Sequence, residues 1–405
     1  MEQIQRNKIK LSDDPSQADI LIINTCGFIE AAKQESINTI LEASALRKKG
    51  KLQKLYVAGC LSERYRHELG NSIQHVDRYF GVTDFKNIIE ELGGEYKHEL
   101  LGERRLPAAS HTAYLKISEG CDNPCSFCAI PIMRGKHRSK PVEDILHEAK
   151  FLALQGVKEL VIIGQDTTSY GLDLYNKRNL ADLLQRISDV EGIEWIRLMY
   201  TYPSHFPGDV LQTIRDNPKI CRYLDMPIQH ISDEILKSMQ RGISKRATED
   251  LISRIRSIIP DISLRTTLIV GYPNETGQAF DELYDFVGRM KFERLGVFTY
   301  SLEENTPAES LGDPISPDIK EERKQKIMEL QSEISLGKNM ARIGTRLPTM
   351  LERMEGEFII GRSEFDAPEV DNEVLIRKNG EAISFGSILP VKIIDAEEYD
   401  LIGQL

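Results

Sequence analysis

With 405 residues, 40% hydrophobic and 28% charged, the chain has the length for two or three domains and the composition of a globular protein. It contains no apolar run of about eighteen residues, and its opening, MEQIQRNKIKLSDDPSQA, lacks the apolar core of a signal peptide; both predict a cytoplasmic protein without a membrane span. A net charge of −11 argues against a surface that attracts nucleic acid as a whole, leaves room for a local basic groove, and suits a basic partner.

An Ile-rich run, 20–23, is the first predicted strand, and a helical pattern follows near 29–48. Leu55–Ala58 is the second strand, ending at Gly59-Cys60, and Val76 to Phe80 is the third, ahead of a helix near 84–92. This β-α-β-α rhythm predicts a small parallel α/β domain over 1–105. Cys26 and Cys60 fall just past the carboxyl ends of strands, where ligands bind in open parallel sheets. Residues 93–110, with Gly93-Gly94 and Pro107, read as a connector.

Strands are predicted near 113–118, 159–163, 194–199, 223–227, 262–270 and 294–300. Helices are predicted near 141–155, 178–189, 207–216, 246–258 and 276–289. The alternation predicts a partial or complete β/α barrel over 106–340, with chemistry at the strand carboxyl ends. A helix over 317–342 leads out of it. The remainder, domain 341–405, has short apolar runs such as Glu357–Ile360 and Val391–Ile394, broken by Gly and Pro. It reads as a small antiparallel β-barrel. The fold class is α/β, without repeats or low-complexity tracts.

Six cysteines are too few for a disulfide scaffold, yet three fall within eight residues: Cys121-Asp-Asn-Pro-Cys125-Ser-Phe-Cys128. The alternative to an iron–sulfur site is a zinc knuckle or a group of buried thiols. Structural zinc takes four ligands, and no second pair completes such a set nearby. Three thiolates on a four-iron cluster leave one iron open to substrate.

The C-x3-C-x2-C spacing resembles the signature of radical S-adenosylmethionine enzymes. The resemblance implies a 4Fe–4S cluster on Cys121, Cys125 and Cys128 whose open iron chelates S-adenosylmethionine, and one-electron cleavage of that cofactor to a 5′-deoxyadenosyl radical. It implies that Phe127 packs on the adenine, although Phe127 also suits plain core packing. Gln165 and Asp166, after the second barrel strand, match the family's contact to the amino group or ribose, and are equally placed to cap the next helix. Gly271, after the fifth strand, matches a close backbone approach to adenine, and an ordinary turn explains it nearly as well. His230, after the fourth strand, and Cys221 read as structural.

Taken over nearly the whole chain, the pattern resembles the methylthiotransferases: an N-terminal α/β domain, a radical barrel and a C-terminal TRAM barrel. Asn24-Thr-Cys26-Gly-Phe28 and Ala58-Gly-Cys60 are similar to that family's N-terminal cluster motifs. Pro131-Ile-Met-Arg134-Gly-Lys-His-Arg138-Ser139-Lys-Pro141 resembles the loop after its triplet. The resemblance implies a second 4Fe–4S cluster, on Cys26, Cys60 and a third cysteine, which supplies or relays sulfur. A second S-adenosylmethionine methylates that sulfur. An electron donor and a sulfur source are implied partners.

Two branches of the family differ in substrate, one modifying tRNA adenosine and the other, the RimO type, the β-carbon of an aspartate in small-subunit ribosomal protein S-twelve. Cys121-Asp-Asn-Pro-Cys125, Arg222-Tyr-Leu-Asp-Met-Pro227 and Gly361-Arg-Ser-Glu-Phe-Asp-Ala-Pro-Glu-Val-Asp-Asn-Glu373 resemble the RimO type. Residues 341–405 hold seven Lys and Arg against thirteen Asp and Glu, a net of −6. That charge repels phosphate and attracts a basic protein or the ribosome, so tRNA is the less expected partner. A solvated acidic face is the bland reading of the same charge. A non-catalytic iron–sulfur module that binds RNA or ribosomes is a further alternative. The family's third N-terminal cysteine lies upstream of Cys26, after a first strand. This chain has neither, so an incomplete N-terminal domain and a second cluster that is labile or absent are expected.

Overall fold

The computed structural model describes residues 2–12, 14–50, 52–97, 106, 110–377 and 383–405. Much of the expected 93–110 connector therefore lies outside the described residues. The first sheet is parallel, in the order β1 (Ile20–Thr25), β2 (Lys54–Gly59), β3 (Arg78–Tyr79). β2 is buried from Leu55 to Gly59, which is why it reads as a continuous apolar run rather than an alternating one. Helices Glu30–Lys48 and Cys60–Ser72 pack on the sheet, with Ile23, Ile40, Leu55, Val57, Leu61 and Leu69 forming the core. The third strand is shorter than Val76–Phe80. Only Arg78 and Tyr79 hold strand register, with the Asp77 and Phe80 N–H groups bonding the Leu55 and Val57 carbonyls.

β4 (Thr112–Lys116) opens the central sheet and is followed by a short antiparallel pair, β5 (Ser118–Glu119) and β6 (Arg138–Ser139). The sheet continues through β7 (Glu159–Ile163), β8 (Trp195–Leu198), β9 (Ile220–Asp225), β10 (Ser263–Val270) and β11 (Arg294–Thr299). All six strands are parallel in the order β11-β10-β9-β8-β7-β4, so the barrel is partial, with β4 and β11 at its two edges. Alternation along the strands sorts the side chains. Leu115, Leu160, Ile162, Ile196, Leu198 and Leu264 join the covering helices in the main core. Val161, Trp195, Cys221 and Tyr223 form a separate cluster.

Helix Pro317–Met340 leads into a closed barrel of β12 (Arg346–Glu355), β13 (Phe358–Ser363), β14 (Val374–Arg377), β15 (Ile388–Ala396) and β16 (Leu401–Gln404). Its pairings are antiparallel except β14 with β16, which run parallel. This small barrel stoppers the large one. Met350, Ala367 and Ile388 pack on the Trp195 and Tyr223 cluster, and polar groups meet around them. Glu159 accepts from Arg197 Nε at 2.8 Å and from Arg362 Nη1 at 3.2 Å. Arg294 Nε donates to Asp366 at 2.8 Å, and Arg265 bridges Asp225 and Asp371 at 3.0 and 3.3 Å. Glu159, Ser263 and Arg294 open their strands, so the stopper fills the amino-terminal end and leaves the carboxyl end for chemistry.

Candidate active site

The triplet lies in the loop between β5 and β6, and the chain pins that loop at both ends. Gly120 has φ +79°, and a Cβ there would stand 2.1 Å from the Lys136 carbonyl, so only glycine permits the crossing. The Cys121 N–H donates to the Gly135 carbonyl at 3.1 Å, and the His137 N–H to Asp122 at 3.1 Å. Buried Ser126 anchors the middle: its N–H reaches the Met239 carbonyl at 3.0 Å and its hydroxyl the Ser238 carbonyl at 2.9 Å.

Cys121, Cys125 and Cys128 line one cavity of about 540 Å³ at the strand carboxyl ends, together with Phe127 and Gln165. Burial pushes the Cys121 thiol up to about 11 and the Cys128 thiol up to about 12, so the protein alone does not make them thiolate nucleophiles. Such thiols become ligands when a metal displaces the proton. Among the described residues no three His, Cys, Asp or Glu groups converge on a single ion. Arg241 Nη1 donates to Cys125 Sγ at 3.2 Å and stacks on Tyr202 at 4.4 Å, a cation held against the negative charge that thiolates bring. Among the described residues the Oε1 atoms of Gln165 and Gln229 are buried against the cavity without a hydrogen-bond partner. Orphaned acceptors of this kind await a donor from a ligand. The three thiols, the orphaned amides and the volume fit a 4Fe–4S cluster with S-adenosylmethionine.

The other predicted residues fall in different places. Phe127 lines the cavity and also packs against the Tyr272 and Tyr300 cluster. Asp166 is buried and satisfied: it accepts from Thr168 N–H at 2.9 Å, Ser169 Oγ at 2.7 Å and Asn123 Nδ2 at 2.8 Å. It caps the 3-10 turn Thr167–Ser169 and steadies Asn123, whose amide reaches Cys121 Sγ at 3.4 Å. Gly271 does not line the cavity. Its φ is +74°, and Lys320 Cγ lies 2.3 Å from where a Cβ would stand, which makes it a turn glycine covered by the exit helix. His230 is buried, and its Nδ1 accepts from the Ser232 N–H at 3.0 Å. Cys221 is buried beside the stopper.

Cys26 and Cys60 come together by register. Thr25 pairs with Gly59, so each cysteine is the next residue beyond the same sheet edge. Gly27 touches Leu61 and Cys60 backbone so closely that a Cβ would stand 2.7 Å from Leu61 Cα. Cys26 is exposed, whereas Cys60 packs against Ala129 and Met133 of the segment after the triplet. Arg134 lines the cavity and donates Nη2 to Cys60 Sγ at 3.1 Å. The α/β domain is fastened there by Arg64, which donates to Glu303 at 2.9 Å, and by Lys33, 3.4 Å from the same carboxylate.

A Radical SAM superfamily model matches residues 115–287, a TRAM domain model 343–405, and the Uncharacterized protein family UPF0004 model 1–81. The ribosomal protein uS12 methylthiotransferase RimO of Flavobacterium johnsoniae is 51% identical over 407 residues, covering 100% of this chain and 93% of that protein. RimO of Chloroherpeton thalassium is 52% identical, with 100% and 94% covered. This chain belongs to the RimO family. Its barrel also resembles the radical S-adenosylmethionine methyltransferase TsrM of Kitasatospora setae, at TM-score 0.56 and 14% identity over 74% of this chain and 68% of that one; the likeness shows the fold alone.

Sequence reasoning missed several residues of the RimO-family cavity. Tyr200 and Tyr202 follow β8, where the barrel rule points, and Tyr200 holds a left-handed φ of 57°. Gln229 holds φ 76°, a conformation that costs free energy in a non-glycine residue and recurs at ligand sites. Lys116 ends β4 facing the cavity. Arg241 lies on a turn with no sequence signal of its own.

Proposed function

We propose that this chain methylthiolates the β-carbon of an aspartate in ribosomal protein uS12, in the cytoplasm, drawing on an electron donor and a sulfur source from outside. The observation that carries the reading is that one side chain, Arg134, touches Cys60 of the N-terminal site while lining the cavity of the barrel triplet. Two cysteine sites that share one substrate space suit a reaction that must activate a carbon and deliver sulfur to it. We assign the units as 1–105, 106–340 and 341–405.

When bound, the clusters and S-adenosylmethionine supply the radical, the sulfur and the methyl group. Cys121, Cys125 and Cys128 hold the first cluster, and Cys26 and Cys60 contribute to the second. Gln165 and Gln229 offer acceptors to the amino group or ribose of S-adenosylmethionine, and Phe127 a face for its adenine. Asp166 positions Cys121 through Asn123. The stopper closes the lower end of the barrel against water. Exposed Glu355, Glu357, Asp395, Glu397 and Glu398 on the small barrel disfavour a phosphate backbone.

The test is anaerobic reconstitution with iron and sulfide, then mass spectrometry of uS12 and of tRNA, with Cys125→Ala as control. A methylthio mass on uS12 from the unmutated chain alone supports the reading. Modified tRNA with unmodified uS12 refutes it, as does full 5′-deoxyadenosine yield from Cys125→Ala.

A further inference from the structure

The cavity is cationic in an acidic protein. Among the described residues its lining includes Lys116, Arg134 and Arg241 and no Asp or Glu, although the chain carries a net charge of −11. Arg241 is committed: one nitrogen is on Cys125 Sγ, the other on the Pro227 carbonyl, and its plane lies on Tyr202. Lys116 and Arg134 differ. Both reach a single carboxylate, Glu119, at 2.5 and 3.2 Å. Two cations on one anion leave one positive charge over. The Lys116 side chain is 39% exposed and that of Arg134 26%. A lysine ammonium has three donors, so its bond to Glu119 leaves others for a ligand.

The place of this surplus charge is informative. Arg134 bonds Cys60 on one side and opens on the triplet cavity on the other, so the charge sits at the seam between the two cysteine sites. An acceptor carbon that receives sulfur from one site after activation at the other must lie at that seam. In an aspartate the β-carbon is one bond from the carboxylate carbon. A cation at the seam that grips the carboxylate therefore sets the β-carbon within a bond length or so of a fixed point.

We propose that Lys116 is the receptor for the carboxylate of the substrate aspartate, with Glu119 and Arg134 as the residues that position it. This rests on the reading of uS12 as substrate and adds the group that selects aspartate. An asparagine amide offers the ammonium one uncharged acceptor oxygen in place of a carboxylate, so it is held more weakly.

The experiment uses the full reconstituted chain with intact uS12 and with uS12 whose modified aspartate is replaced by asparagine. Equilibrium binding and KM are measured for the unmutated chain, Lys116→Met and Lys116→Arg. The unmutated chain is expected to bind the aspartate form about 10- to 100-fold more tightly, the range for a hydrogen bond to a charged group. Lys116→Met is expected to bind both forms alike with a raised KM for uS12, and Lys116→Arg to recover part of the preference. The comparison of the two uS12 forms on the unmutated chain needs no variant and stands if Lys116→Met fails to fold. Three results overturn the proposal: equal binding of both forms by the unmutated chain, an undiminished preference in Lys116→Met, or a KM change confined to S-adenosylmethionine. If the unmutated chain, with iron analysis showing both clusters loaded, leaves uS12 unmodified by mass, the reading of function falls instead, and the two failures are told apart in one preparation.

Discussion

Replacing Glu159 by Gln tests the joint between the two barrels. Glu159 and Arg197 are 0% exposed and Arg362 2%. The carboxylate binds both guanidiniums and accepts from Thr112 Oγ1 at 3.1 Å. Breaking a buried pair by neutralising one partner costs about 3–5 kcal/mol, because the remaining charge stays buried without its counterion. The neighbours decide where in that range the loss falls. Arg362 keeps Glu352 at 2.9 Å, so its charge stays compensated. Among the described residues Arg197 keeps the Glu364 and Ser363 carbonyls, at 2.7 and 3.4 Å, and the rings of Tyr223 and Trp195, at 4.9 and 6.0 Å, but no carboxylate. One stranded guanidinium rather than two places the loss near 3 kcal/mol. Trp195, the one tryptophan of the chain, lies 6.0 Å from Arg197 and reports on this joint in a urea titration of the apoprotein. With an m-value of about 3 kcal/mol/M, the midpoint should fall by about 1 M. Arg353→Ala, which removes an exposed pair with Glu355, should shift stability by less than about 1 kcal/mol. Adding Arg197→Met to Glu159→Gln should recover part of the loss by removing the stranded charge. The reasoning is refuted if Glu159→Gln behaves like Arg353→Ala, or if Arg197→Met deepens the loss.

Cys60→Ala and Cys26→Ala should abolish the methylthio product while 5′-deoxyadenosine still forms; equal loss of both products would show that the two cysteine sites do not work separately. Gly120→Ala must move a carbonyl that would stand 2.1 Å away, so it should lower the iron content and cost about 1–3 kcal/mol, read by iron per chain and Tm. Burial, helped by the charge of Arg323, lowers His230 to about 3 from its usual 6.5, so the unfolded chain binds a proton that the folded chain refuses. Stability should therefore fall with pH from about 6.5 toward 3, by about 1.4 kcal/mol per unit from this group, and His230→Asn should flatten that limb in denaturation curves at pH 4–6. Burial pushes Glu159 up, but Arg362 and Arg197 outweigh it and hold it near 2, so its contribution is lost over an overlapping window, from about 4.5 down to about 2.

The elements that alternate apolar and polar residues, or that bury a whole strand, were legible. The six barrel strands and their helices lie within a few residues of their expected places because each is long and strongly patterned. The triplet was legible because ligand spacing is local. The stopper was not. Asp366 and Asp371 read as part of an acidic tail, and only the fold brings them against Arg294 and Arg265, far away in sequence. Gly271 carried two readings, ligand contact and ordinary turn, because a positive-φ glycine at a strand end has the same sequence signature for both; the structure sets Lys320 against it. Tyr200 and Gln229 were missed because left-handed backbone in a non-glycine residue leaves no mark on composition.

The same distinction narrows what the tail's charge of −6 says about substrate. Asp366 and Asp371 point into the large barrel and Glu352 is held by Arg362, so these carboxylates cannot repel a phosphate outside. Arg346, Arg353, Arg377 and Lys392 are exposed beside the outward acids. The field of the small barrel is thus weaker than the count, and it is screened within about 8–10 Å at ordinary salt. The cavity is the stronger discriminator, because a half-buried charge is screened less and acts on the reacting group itself. An adenine base brings no negative charge to its acceptor carbon. An aspartate carries its charge beside that carbon, and the cavity meets it with Lys116 and Arg134, which share Glu119 while Arg134 also reaches Cys60.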